Sequence, residues 1–166
     1  MNVIGMSNPP GKIRSCWTAD QRAAAGVEQR DVEVGDGVGI CAVIYVADTM
    51  EQAAKDMREP INLFYELSNG WRPESYAKRS YLDEGEELTA ADRNSDWYDF
   101  LFAHDIIWVG TADHVTEKIE QFREQVGLQH IMLAMPFFGL PFEKVLASLS
   151  RFGEHVVPRL QAAAVA

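Results

Sequence analysis

Positive charge is scarce in this 166-residue chain: 15 Lys and Arg stand against 25 Asp and Glu, for a net charge of −10. That balance excludes nucleic acid as a partner, because binding a phosphate backbone needs clustered cations. Cysteine is scarcer still, with only Cys16 and Cys41, so no disulfide framework is possible beyond one pair. Both read as buried free thiols, Cys41 in an apolar run and Cys16 in an amphipathic helix. No apolar run approaches the ~18 residues of a membrane-crossing helix, which excludes a membrane partner. No secretory signal pattern is present, and the expected location is cytoplasmic.

The common catalytic signatures are missing as well. There is no GxSxG elbow, no Walker phosphate loop, no HExxH and no pair of CxxC motifs. Gly35-Asp36-Gly37-Val38-Gly39 is glycine-rich, but it precedes a strand and so lacks the helix amino terminus that holds a phosphate. It is a turn. His104, His114, His130 and His155 are scattered with no metal-ligand spacing, and no metal is expected. His104-Asp105 is a tempting catalytic pair, yet adjacent side chains on regular structure seldom point the same way. The acidic run Asp83, Glu84, Glu86 and Glu87 around Gly85 reads as a solvated loop.

Apolar residues make up 47% of the chain, enough for one buried core. Three runs stand out, predicting strands near 2–6, 39–47 and 130–135, adjacent in that order. Within the second, Ile40-Cys41-Ala42-Val43-Ile44-Tyr45-Val46 is apolar on both alternating faces, the mark of a strand covered on both sides. Each run leads into a helix start. Ser7 and Asn8 precede Pro9-Pro10, a first-turn proline signal for a helix burying Ile13, Cys16 and Trp17 and ending near Gly26. Thr49 with Gln52 forms a capping box. Pro141 and Glu143 open the last helix. Strand-to-helix units in series imply right-handed crossovers and a parallel α/β sheet.

Two later helices are plain. Val115, Ile119, Phe122 and Val126 form one apolar stripe, with Thr111 as N-cap and Gly127 as stop. Phe142, Val145, Leu146, Leu149, Phe152 and Val156 form another, which Pro158 should kink or end. Residues 70–108 read as an irregular insertion with a short helix around Asp96–Phe102, a length typical of an active-site cover. Residues 72–95 are expected to be the least ordered. In parallel sheets function collects at the carboxyl ends of strands, here Gly5, Met6 and Ser7, then Ala47 and Asp48, then Ala134, Met135 and Pro136. Trp71-Arg72 could cover a flat ring system, or Trp71 could anchor its loop to the rim.

Val46-Ala47-Asp48-Thr49 followed by Glu51 and Ala53, Val109-Gly110-Thr111, and Ser148-Leu149 through Phe152 to Val157-Pro158 together resemble the carboxyl end of the bacterial luciferase-like, flavin-dependent monooxygenases. Gly70-Trp71-Arg72 is similar to a stretch of luciferase whose tryptophan lies near the flavin. Ala112-Asp113-His114 depart from the family's Pro-Glu-Glu. The resemblance implies a partial (β/α)8 TIM barrel: the last three strand-helix units, with parallel strands, over residues 1–166. Such barrels take about 250 residues. It further implies reduced FMN, or the deazaflavin F420, acting with oxygen on a small organic substrate. Gly5, Met6, Ser7, Trp71 and Met135 would line the cofactor. The first five strands, which carry much of the phosphate site, have no counterpart here, so no catalytic residue can be assigned. Partners would be the substrate, a complementing amino-terminal barrel half, or further copies of the chain. The other reading is a non-catalytic α/β remnant that binds a partner.

Overall fold

A computed structural model of the chain describes residues 2–4, 9–15, 38–83, 85–128, 130–134 and 139–163. The elements run β1 (Asn2–Ile4), α1 (Pro10–Ser15), β2 (Val38–Val46), α2 (Met50–Asn69), α3 (Glu74–Arg79), α4 (Ala90–Asn94), α5 (Trp97–Ala103), β3 (Ile107–Gly110), α6 (Ala112–Val126), β4 (His130–Ala134) and α7 (Phe142–Arg151). A π-helical turn at Phe152–Val156 then leads into α8 (Val157–Ala163).

β2 is the hub of a four-stranded sheet, and all its pairings are parallel. Its residues Gly39 and Ile40 pair with both β1 and β4, while Val43 pairs with both β3 and β4. A strand has only two edges. β4 therefore holds one edge, and β1 and β3 lie end to end along the other. The expected order of the first, second and last strands is observed. β3 is an addition, too short at four residues to show a period of its own.

This order puts helices on both faces. The β2-to-β3 and β3-to-β4 connections travel in opposite directions across the sheet, so right-handed crossovers place them on opposite sides. On one face Val43, Tyr45, Ile107 and Val109 pack with Met57 and Ile61 of α2 and Phe100 and Leu101 of α5. On the other, Ile40, Ala42, Ile44 and Trp108 meet Val115, Ile119 and Phe122 of α6, with Val145, Phe152 and Val156. Val43, Ile44 and Val46 are fully buried, as the unbroken apolar run requires.

Helix ends follow the local chemistry. Pro10 opens α1, where its missing N–H costs nothing; Cys16, Trp17 and Gly26 lie outside the described residues. Thr49 Oγ1 accepts from the Gln52 amide at 3.1 Å, but the Gln52 side chain turns to Asp56, so the capping box is half formed. Gly127 stops α6 at φ 65°, a left-handed conformation that suits glycine. Pro158 does not end the last helix. The turn before it widens to π spacing, which accommodates the absent proline N–H, and the helix continues to Ala163.

The stretch 70–108 is built rather than irregular: α3, α4, α5 and β3 occupy most of it, and Ala77, Leu82 and Leu88 are buried. Lys78 explains much of that order. Its ammonium is buried, donates to the carbonyls of Asp92 and Ser95 at 2.9 and 2.7 Å, and sits against the Trp97 and Phe100 rings. One charged side chain thus supplies what a longer apolar period would have signalled. The predicted short helix is α5, capped by Asp96.

Candidate functional site

The carboxyl end of β2 carries a polar cluster. Tyr45 donates to Asp56 Oδ2 at 3.0 Å, while Asp56 Oδ1 accepts from Gln52 Nε2 at 2.7 Å and Lys144 Nζ at 2.5 Å. Burial alone would raise the Asp56 carboxyl; the bonds from Gln52, Lys144 and Tyr45 outweigh it and hold it below the usual carboxylate range. Burial, reinforced by the neighbouring carboxylate, pushes the Tyr45 phenol far above its ordinary value, so it stays a donor. Arg151 grips Asp48 with two bonds of 2.7 Å, which lowers the Asp48 carboxyl. Ser148 Oγ accepts the Val46 amide at 2.8 Å, and the Ala47 amide donates to Gly110 at 2.9 Å.

These residues border a concavity of about 400 Å³. Its two cations, Lys144 and Arg151, are both spent on carboxylates. The described lining therefore offers no uncommitted positive charge for a cofactor phosphate. It does not fit a whole flavin nucleotide; what it fits is a rigid wall, with β2 tied to α2 and α7.

Of the residues singled out from sequence, Ala47 and Asp48 line this concavity. Gly5, Met6, Ser7, Met135 and Pro136 lie outside the described residues. Trp71 is 79% exposed, with the Arg72 guanidinium 5.1 Å from its ring centre, so it does not anchor its loop. It follows the far end of the 20-residue helix α2. That is roughly 30 Å of helix from Thr49, and the structure does not bring Trp71 to the carboxyl end of β2.

His104 and Asp105 do point apart. His104 Nε2 lies 2.9 Å from Asp92 Oδ1, whereas Asp105 pairs with Lys118 at 2.6 Å. Thr89 fixes Asp92 through its hydroxyl at 2.7 Å and its amide at 2.8 Å. Those bonds, led by the Thr89 hydroxyl, bring the Asp92 carboxyl down to about 2. This Asp92–His104 pair was not visible in the sequence, although the Thr89-x-x-Asp92 capping box that holds it could have been read. A second concavity, of about 310 Å³, opens beside His104, between Pro9 and Pro10 after β1 and Trp108 in β3.

Solved structures of monooxygenases of the luciferase-like kind match this parallel α/β fold. The oxygenating constituent of 3,6-diketocamphane monooxygenase from Pseudomonas putida, a type II Baeyer-Villiger enzyme solved with FMN, superposes with a TM-score of 0.67 at 21% identity, over 94% of this chain and 42% of that one. Monooxygenase RslO1 from Streptomyces bottropensis gives 0.58 at 20% identity, over 95% and 41%. EDTA monooxygenase from Chelativorans sp. BNC1 gives 0.52 at 18%, over 99% and 42%. The chain thus spans about two fifths of the length of these structures. No family model and no curated protein matches the sequence. Among the described residues, no helix is long and apolar enough to cross a membrane.

Proposed function

We propose that the chain is the carboxyl-terminal portion of a flavin-dependent monooxygenase of the luciferase-like kind, acting on a small organic substrate with oxygen once the barrel is complete. The observation that carries this reading is the superposition, over nearly the whole chain, on a structure solved with FMN. FMN is the favoured cofactor, with F420 as the alternative. The reduced flavin supplies the oxygen chemistry. In this reading the chain contributes one wall, from Gly5, Met6 and Ser7, which follow β1 in sequence, and Met135, which follows β4, because α/β sheets bind ligands beyond the carboxyl ends of their strands. Trp71 enters as an exposed ring available for stacking, at a separate place. The cluster at Asp56 ties the strand end to α2 and α7.

In this reading the complementing amino-terminal half holds the phosphate, since the described lining of the β2 concavity offers no uncommitted cation. The same commitment favours a second reading, a partner-binding α/β subunit with no flavin of its own. Titration of the purified chain with FMN, read by flavin fluorescence, should show no binding at micromolar concentration. The chain mixed with an amino-terminal half should bind. Tight binding by the chain alone would overturn the division of labour, and no binding by the mixture would favour the non-catalytic reading.

A further inference from the structure

The 310 Å³ concavity lies among Pro9 and Pro10 at the start of α1, the Tyr81–Glu86 segment, the stretch from Ala103 to Trp108, and one face of α6. Its size sits near the lower limit of small-ligand sites, roughly 300 Å³. The walls come from distant parts of the chain and are held firmly. Asp83 accepts the amides of Gly11 and Lys12 at 3.1 and 3.0 Å. A Cβ on Gly11 would stand 2.6 Å from that carboxylate, so a side chain there would push Asp83 away from the two amides. Asp105 is held at φ 55°, the only non-glycine residue with positive φ among those described, a conformation that costs free energy and recurs at binding sites.

The lining has a definite chemistry. Asp83, Glu86 and Asp105 face it, and its one lysine, Lys118, is spent on Asp105. Tyr81, Trp108 and Phe122 supply aromatic walls, with Trp108 and Phe122 edge to face at 5.3 Å. His104 also lines it, with its Nε2 2.9 Å from Asp92 Oδ1. Carboxylates that outnumber the cations of the described lining, together with aromatic rings, select an organic cation.

We propose that this cavity binds a small protonated amine bearing an aromatic or short apolar group, with Asp83 and Glu86 meeting the ammonium and the Tyr81, Trp108 and Phe122 rings meeting the apolar part. The site is independent of the flavin reading. Benzylammonium is the probe and benzyl alcohol, its neutral counterpart of the same shape, the control, followed by NMR of the His104 ring and Trp108 indole signals at a pH where the amine is charged. Benzylammonium should shift both signals saturably and bind about tenfold more tightly than the alcohol, the effect of one charge-assisted hydrogen bond. Glu86→Gln keeps the bond to the Asp83 amide and should weaken the amine severalfold without unfolding the chain. Equal binding of the two probes, unmoved His104 and Trp108 signals, or wild-type affinity in Glu86→Gln would overturn the proposal.

Discussion

β2 and β4 are built from nearly the same apolar vocabulary, yet they end up differently. Ile40 to Val46 is buried almost throughout, whereas β4 is partly open and Met132 is 53% exposed. β2 has strands on both edges and helices on both faces; β4 pairs only with β2 among the described residues. The last helix repeats the contrast. Of its six-residue stripe, Val145, Phe152 and Val156 are buried, while Phe142, Leu146 and Leu149 face solvent. Apolar sequence states what a segment is able to bury, and the number of neighbours decides what it does bury.

The sharpest way to break this comparison is a pair of truncations. Ile44→Ala should cost about 2–5 kcal/mol, the usual range for emptying a packed core position. Met132→Ala should cost under about 1 kcal/mol. Urea unfolding of both would settle it, and equal costs would mean that β4 is as enclosed as β2. Next in size is Ser148→Ala, which strands the buried Val46 amide and should cost roughly 1–3 kcal/mol. Ser150→Ala on the exposed side of α7 is the control, expected to be silent by thermal melting.

Carboxylates extend the comparison to charge. The Asp92 carboxyl is brought down to about 2 from 3.8, so its ionised form is favoured by folding. That stabilisation is fully present above pH 3.8 and is lost as pH falls toward 2. It should amount to on the order of 1–2 kcal/mol. Asp92→Asn should flatten this part of the pH–stability curve, and an unchanged acid limb would remove Asp92 from the account. The smallest effect belongs to the exposed Asp48: Arg151→Met should leave the melting temperature close to wild type, because solvent-facing ion pairs add little.

Much of the frame was legible. β1, β2 and β4, Thr49 and Thr111 as caps, and Gly127 as a stop follow from short-range chemistry that any fold would respect. β3 was hidden because Ile107-Trp108-Val109-Gly110 is too short for a period and runs straight into the next helix cap. The order within 72–95 was hidden because it depends on Lys78, and a buried lysine looks like any surface lysine until its carbonyl partners are in place. The cluster at Asp56 joins residues from β2, α2 and α7, as distant as Lys144. Only the position of Asp48 after a strand hinted at it.

That every partner strand keys to β2 also sets a timetable. β2 leaves the ribosome well before β3 and β4 exist, so for much of synthesis the most apolar segment in the chain has open edges and uncovered faces. All its pairings are long-range, which makes closure slow. The early-finished hub is then a nascent-chain liability, and most of the acidic surplus that could keep chains apart is made only after it.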